Sequence, residues 1–156
     1  MQERPESIAG IRGRRGARRL AVQAIYQGLV AGADGVALVD EFLRERAAKG
    51  LDQAYFRELV TGVLSDRATL DDLLQSKMDR AAAEIDPVEH AILLVGALEL
   101  RERPELAIPI VINEAVELAK TFGADKGHRF VNGVLDRLAA DLRPDNAPRC
   151  KGGNCG

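Results

Sequence analysis

The stretch from Asp86 to Pro104 constrains the fold of this chain more than any other. Asp86 can accept from the free amides of a helix start, and Pro87 suits a first turn that needs no N–H. Glu89 follows three positions after Asp86, the spacing of a capping box with Asp in place of Ser or Thr. Behind that start, Ala91 to Leu98 carries no polar side chain. A helix apolar on every side must be surrounded by other elements. The run is far shorter than the roughly 20 residues that span a bilayer. It therefore predicts a central buried helix from Pro87 to about Arg101, closed by Pro104.

Other helices can be read around it. From about Gly16 to Val30, Ala17, Leu20, Ala21, Ala24 and Gly28 share one face. Gly13 and Gly16 interrupt the arginines before it and are expected to fray its start. A second helix runs from about Val36 to Ala48, with Val36, Val39, Phe42 and Leu43 inward and Gly50 ending it. Asp52 can cap a third, with Phe56, Leu59, Val60, Val63 and Leu64 inward, followed by Leu70, Leu73 and Leu74. The period fits one long helix to about Met78 as well as a break near Ser65 and Asp66. Pro109 opens the next helix, which ends at Gly123. Asp125 or Lys126 begins the last, stopped by Pro144.

No stretch alternates apolar and polar residues long enough to make a strand. Aromatics are 4% of the 156 residues and Trp is absent, so the core must be Leu, Ile, Val and Ala. The expected class is all-α, with six to seven helices in two packed small bundles. The halves cover about residues 14–80 and 84–143 of a single domain. Residues 1–13 read as a flexible arm and 144–156 as a flexible tail. No signal peptide is visible, because the first residues are polar and basic; the expected compartment is the cytoplasm, with no membrane contact. Cys150 and Cys155 both lie in the Gly-rich tail and read as exposed thiols. Two thiols alone cannot complete a tetrahedral zinc site.

An enzyme needs a constellation of reactive groups, and the sequence offers none. It has no Gly-rich phosphate loop, no G-x-S-x-G elbow and no H-E-x-x-H. His90 and His128 are isolated, and His90 reads as a surface or satisfied core residue. Glu114 and Glu117 share a helical face but lack a His partner, so a solvated or capping role is expected. No catalytic residue, cofactor or metal is expected.

Charge is the informative feature. The first twenty residues hold Arg4, Arg12, Arg14, Arg15, Arg18 and Arg19 against Glu3 and Glu6, although the whole chain is at −2. At 100° per residue, Arg15, Arg18, Arg19, Val22 and Tyr26 fall within roughly a 100° sector opposite the apolar face. Cations near a helix N-terminus are unfavourable by about 0.3–1 kcal/mol each when exposed. Such a ridge either meets a polyanion, which Arg pairs with bidentately, or pairs with the chain's own acidic body. A second segment, Asp125 to Gly133, places Lys126, His128 and Arg129 at a helix start beside Phe130 and Asn132. There the amides can take phosphate, Phe130 can stack on a base and Asn132 can read a base edge. Equally, Phe130 can be core and Asn132 a local hydrogen-bonding residue.

Four segments resemble the NusB family of transcription antitermination factors. They are Ala17 to Gln27, Tyr55 to Val63, Ile112 to Lys120 and Phe130 to Asp136, in family order and over about residues 14–142. The resemblance implies an all-helical, non-enzymatic protein. It would bind the single-stranded boxA element of ribosomal RNA leader transcripts together with NusE, a small ribosomal subunit protein. With other Nus factors on RNA polymerase, that complex promotes processive elongation. The resemblance assigns RNA contact to Arg14, Arg15, Arg18, Arg19, Tyr26, Lys126, Arg129, Phe130 and Asn132. It places the NusE surface on the second half, with Glu89 as the candidate. Two alternatives stay open: a domain related to those fused in front of RNA cytosine methyltransferases, and a helical scaffold whose Arg face meets an acidic protein. The chain departs from the family pattern at Leu94, often Arg, at Leu98, often aromatic, and at Lys126, often acidic.

Overall fold

The computed structural model describes residues 8–32, 34–79, 81, 84–122 and 127–145. They form seven helices: α1 (Ile8–Ala31), α2 (Gly35–Arg46), α3 (Gln53–Ser65), α4 (Arg67–Gln75), α5 (Pro87–Glu102), α6 (Ile108–Phe122) and α7 (Gly127–Leu142). No strand occurs among the described residues. The all-α expectation holds. None of these helices is long and apolar enough to cross a membrane.

The central helix is α5. Asp86 caps it, its side chain accepting from the Val88 amide at 2.8 Å, and Pro87 occupies the first turn. Every residue from Glu89 to Leu100 is buried, because α5 packs against α1, α3, α4, α6 and α7. All seven helices feed one continuous apolar cluster, so the two halves share a core through α5. Asp52 caps α3 by accepting from the Tyr55 amide at 3.0 Å.

The period left open whether the helix after Asp52 breaks; it breaks at Asp66. The Asp66 carboxylate caps neither helix but pairs with Arg101 of α5 at 2.6 Å. His90 meets Asp71 of α4 at 2.6 Å, so it is the satisfied residue expected. Burial alone would raise the Asp71 pKa, but the His90 and Arg67 contacts together lower it.

Three expectations need correction. The arm assigned to residues 1–13 is already helical from Ile8. Gly13 does not fray α1. It is buried, its carbonyl accepts from the Asp52 amide at 3.2 Å, and a Cβ there would lie 2.8 Å from the Gly50 carbonyl oxygen. Glycine is needed because α1 crosses this close to the α2–α3 loop. Val36 is 63% exposed, since α2 turns Leu38, Val39 and Phe42 inward, with Leu43 partly buried beside them. Gly123, Asp125 and the tail cysteines lie outside the described residues.

One device went unread in the sequence. Arg143, 7% exposed, follows α7 and inserts its guanidinium among the carbonyls at the end of α5. It donates to the carbonyls of Leu100 at 2.9 Å, Glu99 at 3.1 Å, Arg103 at 2.8 Å and Leu106. A cation there also suits the negative end of the helix dipole.

Candidate nucleic-acid interface

The α1 arginines divide into two faces, and the division follows from what α1 touches. Neighbours α2, α3 and α5 all pack on α1, so its covered arc is wider than one apolar stripe. Arg14 and Arg18, one helical turn apart, swing towards α3. The Arg14 guanidinium lies 4.8 Å from the Tyr55 ring centroid and that of Arg18 lies 5.5 Å away. Arg103, just past α5, approaches the same ring at 4.8 Å.

Arg18 is 4% exposed, and Val22 1%. The expectation that both stand on a solvent-facing ridge is therefore corrected. Arg18 Nε donates to Glu99 Oε2 at 2.8 Å and its Nη1 to Glu114 Oε1 at 3.4 Å. Tyr55 Oη donates to the same Glu99 oxygen. Burial alone would lower the Arg18 pKa, but Glu99, Tyr55 and Glu114 raise it above the usual arginine value. Burial and the Glu99 charge push the Tyr55 phenol far upward, so it remains a neutral donor. A guanidinium held this way is closed to a phosphate from solvent. For Arg18, pairing with the acidic body is what the structure shows.

Arg12 and Arg19 take the other face, and Arg15 stands between the two, sharing a further cleft with Arg14 and Arg18. Arg12, Arg15 and Arg19 line a cleft of about 630 Å³ between α1 and α6, with Glu114, Glu117 and Thr121 across from them. Arg12 and Arg19 are exposed. The Arg15 side chain is 63% exposed, and its Nε donates to both Glu114 carboxylate oxygens at 3.1 Å. Arg12 was not among the residues expected to bind. Its spacing of three and seven to Arg15 and Arg19 was the available signal, lost by starting the helix too late. Glu114, expected to be solvated or capping, is neither: its side chain is 14% exposed and paired with two arginines. Among the described residues, no cluster of His, Cys, Asp and Glu could hold a metal.

A second cleft of about 370 Å³ continues along α1, lined by Val22, Gln23, Tyr26, Val30, Arg46 and Phe122 among others. Tyr26 is 39% exposed there. Thr121 and Phe122, neighbours in sequence, border one cleft each. At the start of α7, Arg129 and Asn132 are exposed, and Phe130 is half-buried against the core. These three line neither cleft. Lys126 lies outside the described residues.

Glu89 is 8% exposed, with its carboxylate packed on Gly127 of α7, where a Cβ would lie 3.0 Å from it. So covered a carboxylate offers no docking face, and α5 is buried with it as far as Leu100. The candidate partner residue is corrected on that ground.

A profile described as the NusB family matches residues 15–140. The transcription antitermination protein NusB of Shewanella amazonensis is 50% identical over 127 residues, 81% of this chain and 95% of that protein. Its Shewanella oneidensis counterpart matches to the same extent. Among solved structures, Thermotoga maritima NusB superposes with a TM-score of 0.72 at 26% identity, covering 86% of this chain and 93% of that one. A chain in a crystal structure of antitermination factors NusB and NusE with double-stranded RNA superposes at 0.73 and 26% identity, covering 84% of this chain and 98% of that one. Four motifs in family order, seven helices around a buried α5 and this half-identity agree: the chain belongs to the NusB family.

Proposed function

We propose that this chain is a transcription antitermination factor that binds boxA RNA of ribosomal RNA leader transcripts together with NusE, acting by binding and not by catalysis. In the company of other Nus factors on RNA polymerase, it promotes processive elongation. The observation that carries the reading is the solvent-facing set of Arg12, Arg15 and Arg19 along the α1–α6 cleft. Arginines in a row can pair bidentately with successive phosphates, and each neutralised phosphate releases counterions. Tyr26 at the next cleft supplies an aromatic face for an unpaired base. Arg129, Phe130 and Asn132 extend the same role beyond the clefts, and Lys126, outside the described residues, is assigned it as well. Arg14 contributes through Tyr55, and Arg18 by anchoring the ridge. The solved relative of this fold with NusE and RNA supports the choice of partners. That the Shewanella proteins are spanned over 95% of their length supports an antitermination factor over a methyltransferase domain.

The test is fluorescence anisotropy with labelled boxA RNA, with and without NusE, against a scrambled single strand and a duplex of equal length. Three phosphate contacts give a slope of log affinity on log salt of about −2, and Arg19→Ala lowers its magnitude by about 0.7. NusE is expected to tighten binding by adding a second surface to one complex. Equal affinity for boxA and scrambled RNA, or a slope unmoved by Arg19→Ala, overturns the proposal.

A further inference from the structure

Resting on the RNA-binding reading, we propose that Glu114 is a positioning residue for Arg15, holding one edge of its guanidinium so that the other stays open to a phosphate. Both Glu114 oxygens accept at Nε, 3.1 Å away. Among the described residues, no hydrogen bond reaches Arg15 Nη1 or Nη2. Those two nitrogens form the outer fork that matches two phosphate oxygens. Glu114 is itself fixed. Its side chain is 14% exposed and accepts from Arg18, which Glu99 holds at 2.8 Å. The relay Glu99–Arg18–Glu114–Arg15 thus runs from the core to the cleft and ends in an aimed cation.

An unheld arginine surrenders rotamer freedom when it grips a phosphate; a held one has surrendered it already. The Glu114 charge opposes this gain by repelling an incoming phosphate. The carboxylate lies on the far side of the guanidinium from the open fork, and orientation prevails. Charge and orientation can be separated, because Gln keeps a carbonyl acceptor at the same place without the charge.

The experiment measures boxA affinity for Glu114→Ala, Glu114→Gln, Arg15→Ala and the Arg15→Ala/Glu114→Ala pair. Glu114→Ala is expected to weaken binding about three- to tenfold, and Glu114→Gln to restore it at least to within about twofold of wild type. In the Arg15→Ala background, Glu114→Ala should change affinity little. A penalty that persists there marks a merely structural effect and overturns the proposal. So does a Glu114→Ala protein that binds as well as or better than wild type, which would make the carboxylate a competitor. Should Glu114→Ala fail to fold, nitrogen-15 spectra of arginine Nε–H groups in the wild type decide. The Arg15 signal, identified by its loss in Arg15→Ala, should stay protected from solvent exchange before and after RNA saturation. Loss of protection on binding overturns the proposal. A wild type that does not bind RNA removes the RNA reading and this one with it. A wild type that binds, is weakened by Arg15→Ala and ignores Glu114→Ala removes this one alone.

Discussion

Glu99→Gln changes almost no volume and removes one charge from the centre of the fold. Glu99 is 1% exposed, and its Oε2 accepts from Arg18 Nε at 2.8 Å and from Tyr55 Oη. A glutamine carbonyl can serve these donors only weakly. Its amide brings further N–H groups beside them, where donors already crowd. Arg18, 4% exposed, then keeps only Glu114 as a counter-charge, at 3.4 Å. Breaking one side of a buried ion pair costs about 3–5 kcal/mol, and the surviving Glu114 contact puts this case at the low end, about 3 kcal/mol. That is a large share of a typical stability of about 5–15 kcal/mol. Urea unfolding followed by far-UV circular dichroism reads it. At an m-value of about 2 kcal/mol/M the midpoint falls by about 1.5 M with the slope unchanged. The control is Arg18→Met/Glu99→Leu/Tyr55→Phe, which removes the whole polar cluster and strands no charge. It should lie nearer wild type than Glu99→Gln does. A cost below about 0.5 kcal/mol, the range of an ordinary surface substitution, refutes the reasoning. A triple variant less stable than the single one refutes it equally.

Arg143→Ala takes the donor from the Leu100 and Leu106 carbonyls, while those of Glu99 and Arg103 keep backbone donors, and should cost about 3 kcal/mol, with faster amide exchange confined first to that helix end. Arg143→Lys should rescue little of this, because an ammonium lacks the planar fork. Gly13→Ala drives a methyl into the Gly50 carbonyl at 2.8 Å and should cost about 1–3 kcal/mol in thermal unfolding. Gly16→Ala meets only the end of the Leu51 side chain, at 3.2 Å, and should be far milder. Asp71 ionises more readily in the folded protein, so its contribution is fully present above the ordinary aspartate pKa of about 3.9 and is lost as the pH falls through the lowered folded value. Asp71→Asn should flatten that part of the stability–pH curve; an unchanged acid limb counts against the His90–Asp71 contact as its source.

What the sequence made legible is what local chemistry decides. The Asp86–Pro87 start, the Asp52 cap and the apolar run of α5 rest on groups within a few residues of one another, and the structure places all three. The break at Asp66 was ambiguous because the local period is the same either way, and the partner of its carboxylate, Arg101, arrives from another helix. The arginine ridge was half right for the same reason. Period alone put Arg18 and Arg19 in one sector, but only the tertiary approach of Glu99 and Glu114 buries the first and leaves the second exposed. Glu89 read as surface because Gly127, the small residue that makes room for it, lies on α7. Arg12 was passed over because two glycines look like a frayed end until the Asp52 contact shows why one of them is needed.

The Arg143 clasp has a temporal meaning. Protein synthesis proceeds from the amino end, and the residue that closes the end of α5 comes 44 positions after Glu99, whose carbonyl it grips. The ribosome therefore delivers the hub of the fold well before its lock. Until that lock arrives, the Glu99 carbonyl has the Arg103 amide as its donor, but the Leu100 carbonyl has only water. The seal on that helix end is thereby made only after α7 has been synthesised.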